Sequence, residues 1–164
     1  MRHAAKWAIV LALLLGGCGG ESSLSIASYV EQMQESTDEL QALGVQVNAE
    51  LANHVDLETG RIVDSDAVGT VMADIASALR VYHDDLKDLN APSEIEEAHD
   101  TFLAAAGARL EQWETAADQA TELESVEDLD VATRKSPSFQ AACVALERAV
   151  DESGLQLDLD CGDV

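Results

Sequence analysis

His83, His99 and the carboxylates around them are the residues of this 164-residue chain whose types and spacing best suit metal binding. His99 stands one turn after Ile95 and just before Phe102, so a helix through this segment puts the imidazole on its apolar side. An antiparallel helical hairpin with a four-residue turn at Asn90-Ala91-Pro92-Ser93 would bring His99 level with Tyr82, His83 and Leu86. His83 and His99, with Asp84 or Asp100 (Asp85 and Glu96 next in reach), would then offer two neutral imidazoles and a carboxylate. That set suits a divalent transition metal such as zinc or copper. Against it, the chain has no Glu-x-x-His repeat and no histidine pair at i, i+4. The simpler expectation leaves His83-Asp84-Asp85 as a solvated rim and bonds His99 to Tyr82 or a backbone carbonyl, with no cofactor required.

Other reactive groups carry less. His54 is expected in the last turn of the first helix, where the dipole favours a cationic imidazole. No G-x-S-x-G elbow, phosphate-cradling glycine loop, H-E-x-x-H pair or Cys-His context occurs, so the expectation is a protein that is not an enzyme. The acidic runs Glu94/Glu96/Glu97 and Glu122/Glu124/Glu127/Asp128 lack the central glycine and distal glutamate of a calcium loop.

The elements that must position these groups read as helices. Ile26, Tyr29, Val30, Met33, Leu40, Leu43, Val47, Leu51 and Val55 form one apolar stripe at three-four spacing, ended by Thr59-Gly60. A second helix follows the cap Asp64 and carries Val68, Val71, Met72, Ile75, Leu79, Tyr82, Leu86 and Leu89. The third starts at Pro92 or Ser93, the latter at capping-box spacing from Glu96, and runs through Phe102 and Trp113 to Leu123. Ser125 to Lys135 reads as a connection with at most a short helical turn. Ser136-Pro137 opens the fourth helix, with Phe139, Ala142, Cys143, Leu146, Ala149 and Val150 on its apolar side, and Gly154 closes it. Leu155 to Asp160 alternates apolar and polar, an extended pattern. The expected fold is all-α, an antiparallel up-down four-helix bundle with an extended C-terminal tail.

The N-terminus supplies an address. Arg2, His3 and Lys6 precede the apolar run Trp7 to Leu15, which is too short to span a ~30 Å hydrocarbon core comfortably. The following Leu15-Gly16-Gly17-Cys18 resembles the lipobox of bacterial lipoproteins. The resemblance implies a signal peptide at 1–17, cleavage before Cys18 and lipidation of its thiol. Residues 18–24 then form the lipidated cysteine and a flexible tether, and 25–164 a single domain on the extracytoplasmic side of a bacterial cell membrane. Two or more acyl chains, at ~0.8 kcal/mol per buried CH₂, would hold it there stably.

With Cys18 spent on lipid, Cys143 and Cys161 remain as an even pair in an oxidising compartment, most simply a disulfide. It would close a loop of about 18 residues and contribute roughly 3 kcal/mol in the chain-entropy model. It would also strap the tail to the fourth helix. Leu89-Asn90-Ala91-Pro92, His99, Phe139-Gln140-Ala141-Ala142-Cys143 and Leu157-Asp158-Leu159-Asp160-Cys161 are together similar to uncharacterised helical lipoproteins of the bacterial cell envelope. That resemblance implies an envelope location and the disulfide, and carries no activity.

Charge limits the partners. The chain has 9 Lys and Arg against 32 Asp and Glu, a net charge of −23, and loss of residues 1–17 would remove only basic groups. Nucleic acid and anionic membrane faces would be repelled, while cations or a basic protein partner are permitted. The functional expectation is therefore a lipid-anchored helical binding or scaffold module, with a metal-binding lipoprotein built on His83 and His99 as the alternative.

Overall fold

The computed structural model describes residues 24–159, 161 and 162. The signal peptide, Cys18 and most of the tether lie outside the described residues. The fold is mostly helical: α1 (Ile26–Leu51), α2 (Ser65–Asp88), α3 (Glu96–Asp118), α4 (Val126–Thr133) and α5 (Pro137–Asp151). A two-stranded antiparallel hairpin, β1 (Val55–Asp56) and β2 (Arg61–Ile62), joins α1 to α2. No helix among the described residues is long and apolar enough to cross a membrane.

Local chemistry sets most of the helix ends. The Ser25, Asp64 and Ser136 side chains accept hydrogen bonds from Ser28, Ala67 and Phe139 N–H respectively. Each satisfies a donor that the first helical turn leaves without a partner. Pro137 occupies the first turn of α5, and Gly154, at φ 78°, follows its end.

Four departures from the sequence reading have identifiable causes. α1 stops at Leu51 and tightens into a 3-10 turn at Ala52–His54, so His54 lies beyond α1 and Val55 enters β1. Asp56 stops the stripe from continuing as helix, because its Oδ1 accepts from Glu58 and Thr59 N–H and turns the chain. Gly60, at φ 68°, completes that turn rather than a helix C-terminus. α3 begins at Glu96, after a turn closed by the Ile95 N–H donating to the Pro92 carbonyl, and no side chain caps it. α3 also ends earlier than expected, at Asp118, and a second 3-10 turn at Ala120–Glu122 finishes the segment. The expected connection after Ser125 is the helix α4, nucleated by a complete capping box between Ser125 and Asp128.

α2 and α3 run antiparallel: Gly69 sits against Ala120, Arg80 pairs with Glu114, and the His99 ring reaches the Leu86 carbonyl. α1 packs on α2, and α5 on α3. The interior divides into two buried clusters. The larger joins Tyr29, Met33, Tyr82, Leu86, Phe102, Cys143, Leu146 and Val150. The smaller, near the β-hairpin and α4, is built on Val68, Met72, Ala116 and Ala120.

The C-terminal tail is part of the larger cluster. Cys143 and Cys161 form a disulfide, with sulfurs 2.06 Å and Cα atoms 5.5 Å apart. Gln34 of α1 bonds both backbone groups of Asp158: its Nε2 donates to the carbonyl, and its Oε1 accepts from the N–H. Leu159 N–H donates to Glu147 Oε1 of α5. The tail therefore lies along the seam between α1 and α5 and buries Leu157 and Leu159 there. Each such leucine contributes about 1.5–3 kcal/mol by leaving water.

Candidate functional site

The expected meeting of His83 and His99 with Asp84 or Asp100 does not form. His99 is 4 % exposed. Its Nδ1 lies 2.9 Å from the Tyr29 hydroxyl, and the ring also bonds the Leu86 backbone carbonyl. A carbonyl only accepts, so the ring N–H donates to Leu86, and Nδ1 accepts from Tyr29. Both nitrogens are thus spent on holding the α2 C-terminus and α1 to α3. Burial pushes the imidazole below its ordinary pKa, opposed by Asp100 and the Leu86 carbonyl, and burial also raises the Tyr29 hydroxyl.

His83 lies two turns further along the α2–α3 interface, where its Nε2 would stand 3.2 Å from a Cβ placed on Gly107. Its Nδ1 is 4.0 Å from Asp84 Oδ1. The physical reason for the separation is the connection from 89 to 95, longer than a four-residue turn, which shifts the register of α3 along α2. Among the described residues the one cluster with metal-ligand geometry is Cys143, Glu147 and Cys161, and its two sulfurs are bonded to each other.

A different site lies between the two buried clusters. α1, α2 and α3 leave a cavity of about 280 Å³ there, closed at the side by Phe139 of α5 and Leu159 of the tail. Leu40, Val47, Ile75, Leu79 and Ala106 supply its apolar walls. Phe102 and Phe139, with ring centroids 5.8 Å apart, form one end. Two hydroxyls border it. Thr37 Oγ1 donates to the Met33 carbonyl, which leaves the Tyr82 hydroxyl as donor to Thr37 at 3.3 Å.

Among the described residues the charged groups of the lining are Arg109 and Lys135, and no carboxylate, imidazole or thiol is among them. In a chain with 32 acids and 9 cations, this composition is the reverse of the whole. The Arg109 guanidinium lies over the Trp113 ring, 5.4 Å from its centroid, and Nη1 donates to Gln112 Oε1 at 2.9 Å. Gln112 is itself anchored, since its Nε2 donates to the Ala132 and Arg134 carbonyls at the end of α4. Among the described residues Arg109 has no carboxylate within ion-pair distance. Desolvation pushes its pKa down to about 10, so the group stays cationic at neutral pH. The helix α4, longer than the short turn expected from the sequence, thereby fixes the arginine through Gln112.

Arg109 and Lys135 were not among the residues singled out from the sequence. A signal for the arginine exists: Phe102, Ala106, Arg109 and Trp113 fall at i, i+4, i+7 and i+11, which places a cation inside the apolar stripe of α3. No protein-family model, curated protein or solved structure matches the chain.

Proposed function

We propose that the chain is a lipid-anchored, extracytoplasmic helical module of a bacterial cell envelope that binds a small, largely apolar molecule without transforming it. The anchor rests on the likeness of Leu15-Gly16-Gly17-Cys18 to a lipobox. In this reading α1, α2, α3 and α5 are the four members of an up-down bundle, with α4 as a brace on α3. The binding role rests on one observation, the cavity between the two buried clusters. Ligand sites are typically concave, apolar and furnished with a few fixed polar groups, and about 280 Å³ lies near the lower end of their ~300–1,000 Å³ range. The lining offers walls and hydrogen-bonding groups but no nucleophile with a neighbouring base, which favours holding a molecule over cleaving it.

The test is native mass spectrometry of the full chain, expressed with its leader and purified from bacterial envelope membranes. The expected spectrum shows a chain beginning at an acylated Cys18, with a small-molecule adduct that Gly44→Leu removes. Gly44 lies on the cavity face of α1, and a Cβ placed there meets nothing within 4 Å, so a leucine side chain is expected to extend into the space. An intact leader with a free Cys18 thiol would refute the anchor. Absence of any adduct that depends on Gly44 would refute the binding role.

A further inference from the structure

We propose that the occupant of the cavity is a single-chain amphiphilic anion, its acidic head on Arg109 and its apolar body between α1, α2 and α3. The proposal rests on the binding role above and adds the chemical class of the ligand. Three independent features lead to it.

The first is charge. Among the described residues the lining holds the Arg109 guanidinium and no carboxylate, in a chain whose ionised groups are mostly acids. An anion approaching elsewhere meets repulsion, and here it meets a half-buried guanidinium. The second is unused hydrogen-bonding capacity. A guanidinium has five N–H donors in a planar fork suited to a carboxylate or phosphate. Among the described residues one of the five is engaged, by the neutral Gln112 amide. Stacking on Trp113 and the bond to Gln112 fix the plane of the fork in advance, which reduces the ordering cost of binding. The third is shape. The aliphatic side chains of α1 and α2 and the Phe102–Phe139 pair make most of the wall, and the polar groups beside them, the Thr37 and Tyr82 hydroxyls and the Gln41 and Asn48 amides, are neutral. A second charged end would lie against this mainly apolar wall, whereas a short acyl or alkyl chain matches it.

A fatty carboxylate and an alkyl phosphate share this chemistry, and their relative affinities distinguish a free acid from a lipid fragment. The experiment uses the full chain carrying Trp7→Phe, held in phosphatidylcholine nanodiscs, so that Trp113 is its sole indole. Trp113 fluorescence is titrated with decanoate, decyl phosphate, decanol and decylammonium. At least one anion is expected to bind about tenfold or more tightly than decanol, and decylammonium more weakly than either. Arg109→Gln is expected to bring the anion down to the level of decanol. Arg109→Lys, which keeps the charge but loses the fork, is expected to fall between the two. Thermal melts of both variants establish that they are folded at the titration temperature. Equal binding of decanoate, decyl phosphate and decanol to the unsubstituted protein, or anion binding unchanged in Arg109→Gln, would overturn the anion assignment while leaving a binding module. Absence of any saturable response that Gly44→Leu removes would overturn both.

Discussion

His99 and Arg109 lie on the same helix and both bring polar nitrogen into the interior, but the molecule treats them in opposite ways. Around His99 the acceptors and donors balance. Tyr29 gives a proton to Nδ1, the Leu86 carbonyl takes one from the ring, and burial keeps the imidazole neutral. Around Arg109 they do not. A charge that water would solvate well is left with an amide, an indole face and an opening into an apolar cavity. A balanced buried group stabilises the fold, because removing either partner strands the other. A half-buried cation with spare donors contributes little to the fold and leaves the capacity to bind something else. The contrast makes the histidine that the sequence nominated a structural tie, and the arginine that it did not the group on which the proposed binding role rests.

Substitutions at the two ends should separate these roles. The largest effect is expected for His99→Ala, which leaves the Tyr29 hydroxyl without its partner and opens a hole beside the larger cluster. A loss of about 3–4 kcal/mol in denaturant unfolding is predicted. A loss below about 1 kcal/mol would mean that the histidine is not a structural tie. Replacing Cys143 and Cys161 together by alanine should cost about 3 kcal/mol by freeing an 18-residue separation, and should release the tail from the α1–α5 seam. Faster amide exchange at Asp158 and Leu159 would report that release.

Acidification sharpens the comparison further. The folded-state pKa of His99 lies below its ordinary 6.5, so as pH falls the unfolded chain takes up this proton first. The contribution of the neutral imidazole is therefore complete above 6.5 and is lost progressively as pH falls from there through the folded-state value. The difference in unfolding free energy between the unsubstituted chain and His99→Gln should shrink between about pH 7 and about pH 5. A difference that is flat or grows in that window would contradict the neutral, two-partner histidine. Among the smallest effects, two glycines should respond with opposite signs. Gly44→Ala, beside the cavity, should gain about 0.5–1 kcal/mol from helix propensity with no new contact closer than 4 Å. Gly69→Ala should lose stability, because its Cβ would stand 3.1 Å from the Cβ of Ala120 in the smaller cluster. Matching signs would mean that the packed and open regions do not differ as described.

Much of the frame was legible because the signals were local. Asp64 and Ser136-Pro137 announce helix starts through their own backbone bonds, Gly154 supplies a stop, and the even cysteine pair names its own bridge. What escaped depends on competition or on distance. The stripe from Ile26 to Val55 gives no warning that the Asp56 carboxylate will capture two N–H groups and start a hairpin. Ser93 has capping-box spacing from Glu96, but the chain takes a turn closed by Ile95 N–H on the Pro92 carbonyl first, and the resulting shift of α3 parts His83 from His99. The cavity is less legible still. Arg109 interrupts an apolar stripe in a way the sequence displays, but its meaning requires the chain to have brought α4, Gln112, Phe139 and the tail around it.

The direct test of this account is the denaturant midpoint of Arg109→Gln, measured with and without whichever of decanoate and decyl phosphate binds the unsubstituted chain more tightly. Ligand that binds only the folded state must raise the midpoint, by an amount that grows with the logarithm of its concentration over Kd. The account predicts a ligand-free stability within about 1 kcal/mol of the unsubstituted chain and little of the rise that the unsubstituted chain shows. A ligand-induced rise as large as that of the unsubstituted chain, or a ligand-free loss as severe as that of His99→Ala, would contradict it.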